Sequence, residues 1–188
     1  MDKQLSFLKA FNPLFSVQNK PALKKTQPKE TFKVTPIHIF VDGASRNNPG
    51  PAGAGVYITL NDKPEIEKGF YLGEKTNNQA EYLALLLSIF LVNDLIVNKK
   101  IKNPHLIITS DSELLIRQMY GSYKIKNPVL SDLRKIIDKL LVGKRYTFHH
   151  VLREKNKIAD KLANKGIDSK TDLPKSFVEL LESNQISL

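Results

Sequence analysis

The stretch Val34-Thr35-Pro36-Ile37-His38-Ile39-Phe40-Val41-Asp42-Gly43 alternates apolar with other residues, is rich in β-branched side chains and closes on Asp-Gly. That pattern predicts a half-buried strand running into a turn at Asp42-Gly43. Working outward, Gly50, Gly53 and Gly55 lead into a second strand over 56–60. Asn61-Asp62 supplies a hairpin turn, and a third strand over 65–72 closes a meander. Residues 78–98 then read as a helix that is apolar nearly all round, with Leu83, Leu85, Leu86, Leu87, Ile89, Phe90 and Leu91, so it is expected to be buried against the sheet. A short strand over 106–109, a helix over 112–119, an amphipathic helix over 129–141, a strand over 146–152 and a helix over 157–167 follow. Three strands, a helix, a strand, helices, a strand and a helix imply an α/β fold, a mixed sheet with helices on its faces.

The chain has 188 residues, enough for one domain with appendages. It has no cysteine, which excludes disulfides, thiolate catalysis and thiolate metal sites together. Its four histidines, His38, His105, His149 and His150, look scattered, so a metal would have to be held mainly by oxygen, as magnesium or manganese is. No uninterrupted apolar run reaches the ~18 residues of a membrane span. The opening residues lack the pattern of a secretory signal, so none is expected, and the expected location is the cytoplasm. The net charge is +10, the usual mark of a phosphate-rich partner. Residues 1–36 carry seven lysines against two acids and four prolines, a composition that reads as a flexible extension. The expected organisation is this extension, a folded body over 37–168, and a C-terminal extension over 169–188. Phe177, Leu180 and Leu181 in the last could dock as a helix. Twenty-four of the 29 basic residues are lysine, which a lysine-rich proteome explains equally well, so charge alone selects no partner.

The minority charges are more informative. Asp42 and Asp111 are expected at the carboxyl ends of apolar strands, where open α/β sheets place their sites. Glu81 lies in the first turn of the most apolar helix, with no Lys or Arg in the surrounding run, and Asp160 falls in the apolar setting Ile158-Ala159-Asp160-Lys161-Leu162-Ala163. Singly, such acids serve as turn formers, caps or partners of the helix dipole. Four together in apolar surroundings are costly unless paired or bound to cations. An all-oxygen set suits two hard divalent ions that clamp the attacking and leaving oxygens of a phosphoryl displacement.

Four stretches carry a family resemblance: Ile39-Phe40-Val41-Asp42-Gly43-Ala44 with Asn48-Pro49-Gly50; Thr76-Asn77-Asn78-Gln79-Ala80-Glu81; Ile108-Thr109-Ser110-Asp111-Ser112; and Asn156-Lys157-Ile158-Ala159-Asp160-Lys161-Leu162-Ala163. In this order, each with its acid, they resemble type 1 ribonuclease H over about residues 37–168. The resemblance implies a ribonuclease H-like fold, a five-stranded mixed sheet with helices on both faces. It implies an endonuclease that cuts the RNA strand of RNA–DNA hybrids, leaving 5′-phosphate and 3′-hydroxyl ends. Asp42, Glu81, Asp111 and Asp160 would be the catalytic carboxylates on two Mg2+ ions, with Mn2+ as a substitute; Asp42 would bridge the ions and Asp160 would be the looser ligand. Asn48, Asn77 and Asn78 match positions that contact the hybrid, where a neutral group able to donate and accept can read a 2′-OH. Thr76, and Asn127 in Tyr123-Lys124-Ile125-Lys126-Asn127-Pro128, resemble a pocket for a DNA phosphate, and Tyr123 could stack on a DNA sugar. Turn formation by Asn48 and helix capping by Thr76 are the ordinary alternatives.

Two features depart from the family pattern. The basic, aromatic protrusion expected between the third acid and the next helix is missing, as in one branch of the family. The proton-handling histidine of the family falls ten residues before the last acid, which is His150, yet the text His150-Val151-Leu152-Arg153-Glu154-Lys155-Asn156 resembles a branch in which an Arg near 153 takes the helper role. Both assignments stay open at the level of sequence. The opening Gln4-Leu5-Ser6-Phe7-Leu8 resembles short peptides that dock on DNA sliding clamps. A monomer is expected. Another nuclease of the same fold and a non-catalytic hybrid-binding module are the competing functions.

Overall fold

A computed structural model describes residues 33–187. The proposed clamp peptide and most of the N-terminal extension lie outside them. Five strands form one sheet in the order β3-β2-β1-β4-β5. These are β1 (Thr35–Ser45), β2 (Gly50–Leu60), β3 (Lys63–Lys75), β4 (Pro104–Ser110) and β5 (Arg145–His150). β1, β2 and β3 are antiparallel neighbours, whereas β4 runs parallel to both β1 and β5. The expected five-stranded mixed sheet is present. Asn61 and Asp62 both take positive φ, 50° and 61°, in the two-residue β2–β3 turn, as the tight hairpin signal requires.

The helices are α1 (Asn77–Asn98), α2 (Glu113–Met119), α3 (Pro128–Leu141), α4 (Lys157–Ser169) and α5 (Lys175–Ser183). α1 begins in a capping box: the Thr76 hydroxyl accepts from Gln79 N, and the Gln79 carboxamide accepts from Thr76 N. It packs on one face of β1 and β2 and also against α3, which is why it is apolar nearly all round. By length and mean hydropathy α1 is also apolar enough to cross a membrane, contrary to the expectation from uninterrupted runs. Ser88, Asn93 and Asp94 break the run without lowering its average much. Its leucines are nonetheless spent on the core, where Leu83, Leu85, Leu86 and Leu87 are buried. α5 lies in the C-terminal extension; its Phe177 and Leu181 are buried in the same core, and the Phe177 ring meets Phe90 edge-on at 5.5 Å.

α4 packs on the opposite face, across β1, β2 and β3. Here the sheet presents glycine. A Cβ at Gly53, Gly55 or Gly69 would collide with the α4 backbone carbonyls of Ala163, Ala159 and Leu162 respectively, and one at Gly166 would collide with the Phe70 main chain. The contact is made by main chain on both sides. Glycine weakens a strand unless close approach requires it; here it does.

The first strand runs further than its sequence suggests. Asp42 does not end β1, because pairing with β2 continues to Ser45, opposite Ala52. What stops near Asp42 is the parallel pairing with β4, whose last register pair is Phe40 with Thr109. The Asp42-Gly43 pair is therefore a point where the strand loses one neighbour, and the turn comes later, around Asn47 at φ 61°.

The α4 contact generates a prediction. Gly55→Ala forces a methyl group against the Ala159 carbonyl, and overpacking of this kind costs about 1–3 kcal/mol. In urea titrations the midpoint should fall while the m-value stays unchanged; an unaltered midpoint would show that α4 is not held by this approach.

Candidate active site

Extending the Phe40–Thr109 register by two residues puts Asp111 beside Asp42, just where β1 has lost β4. The opening is a cavity of about 170 Å³ lined by Asp42, Glu81, Asp111 and Asp160, together with Asn77, Ser112 and Arg153. The four acids picked out in the sequence thus arrive from four elements: β1, α1, the first turn of α4, and the loop after β4. Glu81 is the fifth residue of α1, past the first turn in which the sequence placed it, because the helix already starts at Asn77. Two glycine contacts set the approach. A Cβ at Gly43 would overlap the Ala80–Glu81 main chain, so Gly43 lets α1 deliver Glu81 next to Asp42. Gly55, the cross-strand partner of Asp42, lets α4 lie close enough to deliver Asp160 from the other face.

Crowding acids in a half-buried cavity has an electrostatic cost. The Asp42 carboxyl is pushed up to about 7, chiefly by burial, then by the charges of Asp111 and Asp160, with Arg153 pulling the other way. Glu81 is pushed up to about 7 as well, again chiefly by burial, against the lowering effect of the Ser112 hydroxyl. Three of the four acids accept hydrogen bonds from neutral or cationic side chains, and Asp42 accepts one from the Gly43 backbone. Glu81 accepts from Ser112 Oγ at 2.6 Å and Asn77 Nδ2 at 3.2 Å. Asp111 accepts from Asn156 Nδ2 at 2.6 Å, and Asp160 accepts from Arg153 Nη2 at 2.6 Å.

The other residues named from the sequence distribute unevenly. Asn48 Oδ1 accepts from the Asn77 backbone N–H at 2.7 Å, which joins the β1–β2 turn to the start of α1, and Asn78 is exposed beside them. Thr76 and Asn127 cap α1 and α3, Asn127 Oδ1 accepting from Leu130 N at 3.2 Å. Among the described residues no hydrogen bond joins these two caps. Tyr123 is exposed, and the Arg117 guanidinium lies 5.2 Å from its ring centroid. His150 ends β5, exposed, with Nε2 3.3 Å from the Asp111 carbonyl oxygen. It is not part of the cavity wall, whereas Arg153, in a single 3-10 turn before α4, is.

Two residues of this site were quoted in the sequence only as neighbours of acids. Ser112 caps α2 through Leu115 N and also donates to Glu81. Asn156 is almost fully buried; its Nδ2 donates both to Asp111 and, at 2.9 Å, to the Val41 carbonyl, so it ties the loop after β4 to the residue next to Asp42. The available signal was chemical: a neutral amide four residues before an acid in an apolar segment needs buried partners.

The donor set is all oxygen, which fits hard divalent cations and no soft metal. Among the described residues no three His, Asp or Glu side chains are already gathered as ligands. Linkage gives the sign of the pH effect. Asp42 and Glu81 have folded-state pKa values above their ordinary ones, so the folded state binds more protons between about pH 4 and 7. Stability contributed by this pair therefore falls as pH rises across that window, each carboxyl costing at most ~1.4 kcal/mol for every pH unit crossed. In chelator at pH 8, Asp42→Asn should melt several degrees above the parent, and the difference should shrink toward pH 4. Adding Mg2+ should stabilise the parent more than the variant. Identical pH profiles would show that the cluster carries no such repulsion.

Residues 40–166 match the family described as reverse transcriptase-like. A curated relative, Ribonuclease HI of Halobacterium salinarum, is 35% identical over 134 residues, or 70% of this chain and 64% of that protein. Bifunctional protein Rv2228c of Mycobacterium tuberculosis is 34% identical over 136 residues, 71% of this chain but only 36% of its own length. The chain therefore spans less than two thirds of these relatives. Among solved structures, LC11-RNase H1 in complex with RNA/DNA hybrid is 40% identical with a TM-score of 0.65, covering 71% of this chain and 97% of that one. With its fold and its matched length in agreement, the chain belongs to the reverse transcriptase-like family, within its type 1 ribonuclease H group.

Proposed function

We propose that this protein hydrolyses the RNA strand of RNA–DNA hybrids, leaving 5′-phosphate and 3′-hydroxyl ends. The observation that carries the reading is the convergence of Asp42, Glu81, Asp111 and Asp160 on one cavity beside the Asn48–Asn77 pair. A relative that is 40% identical over nearly its whole length has been captured on an RNA/DNA hybrid.

The four carboxylates would hold the divalent cations, Mg2+ or, as a substitute, Mn2+. Bound there, a pair of such ions offsets the negative charge on the attacking and leaving oxygens. Asp42, the most crowded of the acids, sits centrally. Asp160, in the first turn of α4 and paired with Arg153, is the ligand most easily turned toward or away from the centre. Asn48, Asn77 and Asn78 form a neutral strip along the N-terminal end of α1, suited to hydroxyls of the RNA minor groove. The capping duties of Thr76 and Asn127 fix their side chains at the starts of α1 and α3, where they would border a DNA phosphate, with Tyr123 nearby in sequence for a sugar. Arg153, in the cavity wall, is the helper: permanently charged, it stabilises charge on the departing strand and cannot relay a proton. His150 is left at the rim.

Cleavage of a labelled RNA–DNA hybrid in Mg2+ or Mn2+, run beside single-stranded RNA, RNA duplex and DNA duplex, tests the reading. Hybrid-selective cutting is expected. Asp42→Asn should lower kcat by at least about a thousandfold, the scale of losing a main charge-stabilising group, while still binding hybrid. Arg153→Ala should slow turnover more than His150→Ala. Cleavage of DNA duplex in preference to hybrid would point to another nuclease of this fold, and tight binding without cleavage under either metal would indicate a binding module.

A further inference from the structure

Beyond the carboxylate cavity the surface does not close. Arg153 and Asp160 also line a second cavity, shared with Glu154, Lys157 and Lys161. Glu154 and Lys157 in turn line a third, of about 240 Å³, whose floor is Phe40 and Tyr57. The three hollows adjoin through shared wall residues, and together they form a row that runs from the acids around the start of α4 to an aromatic slot on the sheet. Phe40 and Tyr57 are cross-strand partners, half-buried, with ring centroids 6.0 Å apart. They stand on the α4 face of the sheet, at the end that α4 leaves open. The slot is smaller than the ~300–1,000 Å³ pockets that take whole drug-sized ligands, and it suits a single flat ring.

Charge along the groove is uneven. Lys155, Lys157 and Lys161 are exposed, and among the described residues none forms an ion pair with a carboxylate. Glu154 is the one acid between the Arg153–Asp160 pair and the slot. Cations spaced along a channel that ends in an aromatic floor are what a single strand needs, one for its phosphates and the other for a base. A duplex, whose bases are already stacked, would have no use for the slot.

We propose that this groove binds single-stranded RNA continuing from the hybrid, with one unpaired base stacked on Phe40 and Tyr57 and its phosphates along Lys155, Lys157 and Lys161. The choice of RNA rests on the hydrolase reading above: the row of hollows begins at the Arg153–Asp160 wall of the carboxylate cavity, so the strand that continues into it is the strand being cut. The site would favour hybrids bearing an RNA overhang on one side.

Steady-state cleavage is compared for a blunt hybrid and for hybrids with an RNA extension at either end or a DNA extension. One RNA-extended substrate should show a KM about tenfold below the blunt one with kcat little changed, the scale of one stacked base. The DNA extensions should give no such gain. Tyr57→Ser should abolish the ratio between extended and blunt substrates. A ratio near one in the parent, an equal gain from a DNA extension, or a ratio that survives Tyr57→Ser overturns the proposal. Should Tyr57→Ser fail to fold, the exposed pair Lys155→Ala/Lys157→Ala takes its place in the same comparison. A second measurement needs no catalysis: in chelator, 2-aminopurine placed in the extension should be quenched on binding, and unquenched binding would remove the slot. If no hybrid is cut at all while the quenching is seen, the hydrolase reading fails and the single-strand site stands.

Discussion

Like charges in a small, poorly hydrated space repel each other, and every neighbour of the carboxylate cavity is arranged around that repulsion. Asp42 and Glu81 are each driven toward their neutral form near pH 7. Ser112, Asn156 and Arg153 meet Glu81, Asp111 and Asp160 with hydrogen bonds. The unfavourable arrangement is sustained by what lies beneath it: β1 buries Ile37, Ile39 and Val41 under α1, and β4 adds Leu106 and Ile108. Fully burying such a side chain is worth ~1.5–3 kcal/mol, so a handful of them offsets the strain of holding acids together. A site short of positive charge is a site prepared to receive it.

The sequence made some of this legible and hid the rest for identifiable reasons. Period-2 alternation in β1 and the all-round apolarity of α1 report burial directly, so the sheet and its central helix could be read. Asp42 could be marked as important, yet its place in the strand was misjudged. A strand that keeps one neighbour and loses the other looks, in a single sequence, like a strand that ends. The extended β2 was shortened for a related reason: Gly50, Gly53 and Gly55 resemble loop residues until a helix backbone is seen lying on them. Nor could spacing decide between His150 and Arg153. Seven residues before Asp160, Arg153 is brought back to it by one 3-10 turn, and no periodicity announces such a turn. The histidines read as scattered are partly gathered, since His105 and His149 both approach Thr147 Oγ1 at 3.3 Å across β4 and β5.

Helix capping shows how one residue can serve structure and chemistry together. Thr76 and Asn127 satisfy orphan N–H groups at α1 and α3, duties that explain their presence without any ligand. Their side chains are fixed for that reason. Ser112 does the same for α2 while donating to Glu81. At α2 the residue that stabilises the start of the helix is also part of the cavity wall.

The glycine floor beneath α4 has a consequence for how this protein can vary. Most packed surfaces tolerate change by exchange: one side chain grows, its neighbour shrinks, and volume is conserved. Where peptide backbone rests on peptide backbone, at Gly55 under Ala159 and Gly69 under Leu162, there is no side chain on either side to trade. Any gain of volume there must be absorbed by moving the whole helix, and Asp160 moves with it. The distance between two of the acids is thereby written into positions that carry no functional group at all.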